Sequence, residues 1–346
     1  MKHFVTVTLI AFFSFFLFSS AMAQDLTNAG GYMDYISKQQ VDISKKFLSY
    51  NSAASHGKRA KKVAGLKNKL LEEVQTAKEN ISAMPAFEGD KEYRDSAVSF
   101  MQLYYSIMND DFSKIVDLQE IAEQSYSDME AWLLAKEMVN KKMDDANAQL
   151  HGVQVKFATT HNVNLISTKD GISEKMDQVE QVNKYYDPIY LIFFKSYLQE
   201  KYLLEAVNKK NVNGIEQNKN SLLQYAQNGL SQLDTMKSFK GDNSLVVNAK
   251  AVLQFYVKEC NENVSTLSDY FLKAEDFDKM KTAYAQNSSH SKDDVDNYNK
   301  EVQDVNNASN NYNNTVHTLD GNRNNLLDRW NNGVDSYLDN QMPTYN

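Results

Sequence analysis

The chain has one cysteine, Cys260, three prolines and twelve glycines in 346 residues. A single thiol excludes an internal disulfide, so the fold must be held by packing. Scarce proline and glycine leave long stretches without a helix breaker. No P-loop, G-x-S-x-G or dinucleotide glycine pattern occurs, and no histidine stands in H-E-x-x-H or E-x-x-H spacing. The carboxylate clusters Asp110-Asp111, Asp144-Asp145 and Asp293-Asp294 lack the alternating acids and glycine of a calcium loop. No catalytic, cofactor or metal constellation is therefore expected, and the chain reads as non-enzymatic. The net charge of −8 at pH 7 disfavours a phosphate backbone, which argues against nucleic acid as a partner.

Hydrophobic runs are also missing beyond the first 23 residues. Ile189–Phe194 falls far short of the ~20 apolar residues that span a bilayer. Residues 1–23 have the order of a secretory signal: Lys2 and His3, an apolar run from Phe4 to Phe18, then Ala21-Met22-Ala23. Cleavage is expected before Gln24, leaving no transmembrane segment. The expected location is the periplasm or the cell surface.

What is present is helical patterning. Lys, Glu, Gln, Leu and Ala are abundant, and apolar residues recur at steps of three and four. Val63, Leu66, Leu70, Val74, Ala77, Ile81 and Met84 form one stripe. Val295, Tyr298, Val302, Val305, Ser309, Tyr312, Val316, Leu319, Arg323, Leu326 and Trp330 form another, with a coiled-coil-like seam. Ile189–Val207 is apolar nearly all round and predicts a buried helix, the end of a long one kinked at Pro188. Ser291 with Asp294 reads as a variant capping box opening the last helix.

The second feature is a repeat. Val63–Tyr105 aligns without gaps on Ile215–Val257, at an offset of 152, with 12 identities in 43 positions. Its centre is the stretch Met84-Pro-Ala-Phe87-Glu-Gly89-Asp90, which returns as Met236-Lys-Ser-Phe239-Lys-Gly241-Asp242. Gly89 and Gly241 are expected at positive φ, ending a helix. Asp90 and Asp242 are expected to accept the first amides of the next helix. Phe87 and Phe239 are expected to close the end of each core. The predicted fold is all-α: two tandem four-helix up-and-down bundles related by duplication, 24–165 and 172–346, with the polar stretch Asn162–Gly171 between them.

Two further groups draw attention. Lys58, Arg59, Lys61 and Lys62 open the second helix with no acid among them, where the helix dipole disfavours cations. They form either a solvated face or a contact for an anionic partner. Cys260 follows Leu253, Tyr256 and Val257 on one helix face and reads as a buried small hydrophobe.

The A-x-A signal, the Tyr32-x-x-Tyr35-Ile36 helix, the Pro85-Ala-Phe87-x-Gly-Asp90-x-x-Tyr93 turn and the Lys156-Phe157-Ala-x-x-His161-Asn162 helix end together resemble a family of exported helical bacterial surface proteins first named from leptospires. The resemblance is clearest over Tyr32–Leu165. The second copy lacks counterparts of Pro85, Tyr93 and His161. The resemblance implies envelope or surface placement and no catalysis. The leading reading is an interaction or structural module with an envelope partner, protein or polysaccharide. The alternative is a helical ligand-binding protein with a pocket between the repeats near Tyr185–Tyr202.

Overall fold

The fold is all-α. The computed structural model describes residues 26–111, 125–165 and 171–345. The predicted signal segment, and residues 166–170 of the predicted connection between bundles, lie outside them. Counting helices joined through a π turn as one, the described residues form eight helical rods and no strand.

Among the described residues, the first compact unit comprises those up to 187 and those from 335 onward. Helix α1 (Ala29–Ser55) starts where the Asn28 side chain accepts the Gly31 amide at 2.7 Å. Its face of Tyr32, Met33, Ile36, Ile43 and Phe47 is buried. Helix α2 (Ala60–Ser82) buries Leu70, Val74, Ala77 and Ile81, one side of the amphipathic stripe read from the sequence. Helix α3 (Glu92–Ser106) widens at its end into a π turn (Ile107–Asp111). Helix α4 (Tyr126–Thr160) is capped by Ser125, whose hydroxyl oxygen accepts the Asp128 amide at 3.1 Å. Helix α1 packs on α2, α2 on α3, and α3 on α4.

The second unit comprises residues 188–334. Helix α5 (Gly171–Asn208) continues through Pro188 as one helix and passes from the first unit to the second there. Helix α6 (Val212–Asp234) is capped by Asn211. Helix α7 (Ser244–Lys258), a π turn (Glu259–Asn263) and helix α8 (Val264–Gln286) follow without a break. Helix α9 (Lys292–Gln341) opens as its capping box predicts: the Asp294 amide donates to the Ser291 hydroxyl at 3.2 Å, and the Ser291 amide to the Asp294 carboxylate at 2.8 Å.

These units differ from the bundles 24–165 and 172–346 predicted from the sequence. Residues 171–187 belong to the first unit, and so do the last twelve residues. There Tyr337, Leu338 and Met342 are buried, the Gln178 side-chain Nε2 donates to the Gln341 carbonyl at 2.6 Å, and the Tyr345 backbone amide donates to the Ser52 hydroxyl at 3.1 Å. No local pattern encodes that return, because its partners are 163 and 293 residues away in the chain.

Every boundary in one run of elements recurs 152 residues on. Helices α2 and α6 have 23 residues each, α3 and α7 have 15, and each π turn has five.

Candidate functional site

The repeated turns have one backbone conformation. Glu88 and Gly89 have φ of 51° and 87°, and Lys240 and Gly241 have 50° and 90°. Positive φ at both central residues makes a type I′ turn. Phe87 and Asp90 exchange two backbone hydrogen bonds at 2.8 and 2.9 Å, and Phe239 and Asp242 exchange two at 2.8 Å. The Asp90 carboxylate accepts the Glu92 amide at 2.7 Å, and that of Asp242 accepts the Ser244 amide at 2.8 Å. The glycine and aspartate expectations therefore agree with the geometry.

The phenylalanine expectation holds for one turn only. Phe87 is 7% exposed and lies 5.3 Å from Tyr32, 5.5 Å from Phe157 and 4.8 Å from His161, ring centre to ring centre. Around it the Tyr32 hydroxyl donates to the Pro85 carbonyl at 2.9 Å, and Arg94 donates to the Met84 carbonyl at 2.9 Å. Phe239 is half-buried, with the Lys240 ammonium 5.4 Å from its ring centre. It does not plug a core. At the offset of 152, Tyr93 is answered by Leu245 and His161 by Asn313, so two of the rings that surround Phe87 or its neighbour Phe157 have no aromatic equivalent.

Lys58, Arg59, Lys61 and Lys62 are all exposed at the entry to α2, and among the described residues none meets a carboxylate in an ion pair. Arg59 stands at the N-cap without a capping side chain.

The densest ionisable cluster lies elsewhere, at the π turn of the second unit. Arg323 of α9 is 7% exposed, and Glu200 of α5 and Glu259 of the π turn are each 1% exposed. The Arg323 guanidinium donates to Glu200, to Asp320 on its own helix, and to Glu259 at 2.7 Å. Tyr256 and Cys260 are buried beside them. Burial pushes the Glu259 carboxyl up to about 8; the Glu200 charge adds to this, and Arg323 opposes it. Burial likewise raises Glu200 against the pull of Arg323. Burial and then the Glu259 charge push the Cys260 thiol up to about 12, so it stays protonated and inert, as its apolar helix face suggests.

None of these three charged residues was singled out from the sequence, although two carried a signal. Arg323 occupies a position of the last helix's apolar seam, and Glu200 interrupts the helix that is apolar nearly all round. A charge at a core position requires a partner. The first unit has a simpler buried charge: Lys136 of α4 donates to both Asp187 oxygens, at 2.9 and 3.1 Å, with Trp132 4.9 Å from its ammonium.

Among the described residues no group of three or more His, Cys, Asp and Glu side chains is placed to hold a metal ion, and no helix is long and apolar enough to cross a membrane. Comparisons with family models, with curated proteins and with solved structures find no match for the chain.

Proposed function

We propose that this chain is an exported, non-enzymatic envelope or surface protein, built by duplication of one helical element, whose second unit holds out a two-helix arm to a protein partner. The observation that carries the reading is the arm. No residue from 272 to 307 is buried, although most of α8 and the first third of α9 lie in this stretch. The two helices touch through Phe277 and Tyr298 at 5.7 Å, Tyr284 and Tyr298 at 4.4 Å, and Phe271 and Tyr312 at 5.3 Å. These rungs run in opposite order along the two helices, an antiparallel hairpin. At ~1.5 Å per residue it extends for roughly 20 Å. Such a stretch adds little core and costs chain entropy, which fits a surface kept for contact. Leu272 and Val295 stand exposed on it, 46% and 38%.

Three lines of observation support the rest. The recurring boundaries, turns and π turns at one offset support duplication. The sealed state of Glu200 and Glu259 supports a non-enzymatic reading, because a substrate has no access to groups so buried. The resemblance to the exported helical surface family and the signal-like N-terminus support export. Lys58, Arg59, Lys61 and Lys62 are the contact we assign to an anionic partner, such as a polysaccharide.

A photo-reactive residue at position 295 tests the arm in native envelopes. A discrete protein adduct, absent when the residue replaces Lys69 on α2, is expected. No adduct from position 295 overturns the arm reading. N-terminal sequencing tests export; a chain starting at Gln24 is expected, and one starting at Met1 overturns it.

A further inference from the structure

We propose that the Glu200–Glu259–Arg323 cluster is a proton-held latch that secures α9, the helix from which the arm continues, to α5 and the second π turn. Two carboxyl groups face one guanidinium in a space closed to water. With both ionised, the triad holds an uncompensated buried negative charge, which is far more costly than the same charge in water. With one proton retained, the triad is neutral.

The geometry has a place for that proton. Glu259 gives one oxygen to Arg323, while its other oxygen is buried and has no N–H or O–H donor aimed at it. That oxygen is a poor site for a carboxylate charge and a good one for a hydroxyl. The two carboxyl groups are close enough to hydrogen-bond each other, so the protonated one donates to its neighbour.

The groups around the latch come from every element that surrounds it. Helix α5 supplies Glu200, α7 supplies the Tyr256 hydroxyl, the π turn supplies Glu259 and Cys260, and α9 supplies Arg323 and Asp320. Lys219 of α6 acts on Cys260 and is itself paired with Glu216 at 2.6 Å. Tyr256 and Cys260 are raised, so both stay protonated while the carboxyls titrate. Asp320 is half-exposed and pairs with the same guanidinium.

The sign follows from the raised carboxyl. Glu259 binds its proton more tightly folded than unfolded, so its contribution to stability is complete in acid and lost as pH rises through about 8. Between the ordinary carboxyl range and about 8, each pH unit favours the opening of α9 from the cluster by about tenfold, and above 8 the effect levels off. The latch is independent of what the arm contacts.

Hydrogen exchange of the mature chain tests this, read at about pH 6 and about pH 9 and corrected for the intrinsic rate. Wild type is expected to lose protection in α9 around 319–330 at the higher pH, with α2 and α3 unaffected. Glu259→Gln, which cannot lose a proton but keeps a donor, is expected to retain protection at both. The proposal is overturned if wild-type α9 keeps its protection, or if Glu259→Gln loses it as wild type does. Carbon-13 NMR of labelled glutamate side chains gives an answer without any variant. One protonated glutamate carboxyl at neutral pH is expected, and a fully ionised set overturns the proposal.

Discussion

The two π turns lie 152 residues apart, each at the end of a 15-residue helix, and differ in what they bury. In the second, Glu200, Tyr256, Glu259 and Cys260 lie at or beside the turn. The positions 152 earlier are Leu48, Tyr104, Ile107 and Met108, and all four are buried. The tyrosine is kept, while two apolar side chains stand where the second unit has carboxyls. A π turn inserts an extra residue and loosens the backbone ladder, and such turns recur at functional sites. Here the same backbone irregularity is filled once by hydrocarbon and once by charge. The backbone device is therefore structural in origin, and the chemistry was set by which side chains filled it.

The largest expected effect breaks the charged version alone. Arg323→Met leaves two buried carboxyls without a counter-charge, which should cost about 3–5 kcal/mol. Denaturant unfolding should show the loss in the transition of the second unit. A loss under ~1 kcal/mol would mean water already reaches the cluster.

The next compares the two type I′ turns. Phe87→Ala removes a ring packed on three others and should cost ~3 kcal/mol. Phe239→Ala removes a half-exposed ring and should cost about 1 kcal/mol. Equal costs in thermal unfolding would show that the second ring is as enclosed as the first.

A third experiment makes the second unit resemble the first. The triple substitution Glu200→Leu, Glu259→Ile, Arg323→Met replaces the triad by apolar side chains. Exchanges of this kind often stabilise by roughly 1–4 kcal/mol. The variant should unfold later in denaturant, with the pH dependence near 8 erased. Destabilisation would indicate that the charges also shape the packing around them.

The smallest difference is expected between the two turn glycines, whose replacement should cost the same in both halves. At Gly89 and Gly241 a Cβ would meet nothing within 4 Å, so only backbone strain opposes a side chain. Gly89→Val and Gly241→Val should each cost ~1–2 kcal/mol. A clear difference in melting between them would break the likeness of the turns.

Much of this comparison was legible in the residues. The stripe of Leu70, Val74, Ala77 and Ile81, the Ser291–Asp294 cap and the positive φ of Gly89 and Gly241 follow from interactions within a turn or two of chain, and the offset of 152 is read by aligning the chain on itself. Backbone sterics and three-to-four spacing act locally, so a sequence states them directly. The tertiary structure decided the rest. Phe87 is enclosed because Tyr32 and Phe157, both distant in the chain, come to it, while Phe239 is left half-exposed at an identical turn. The last twelve residues return to the first unit through partners far away in sequence. Arg323 meets Glu200 and Glu259 across separations of 123 and 64 residues. A lone charge on an apolar stripe announces that a partner must exist; only the packing of separate helices settles which partner it finds and whether water is shut out.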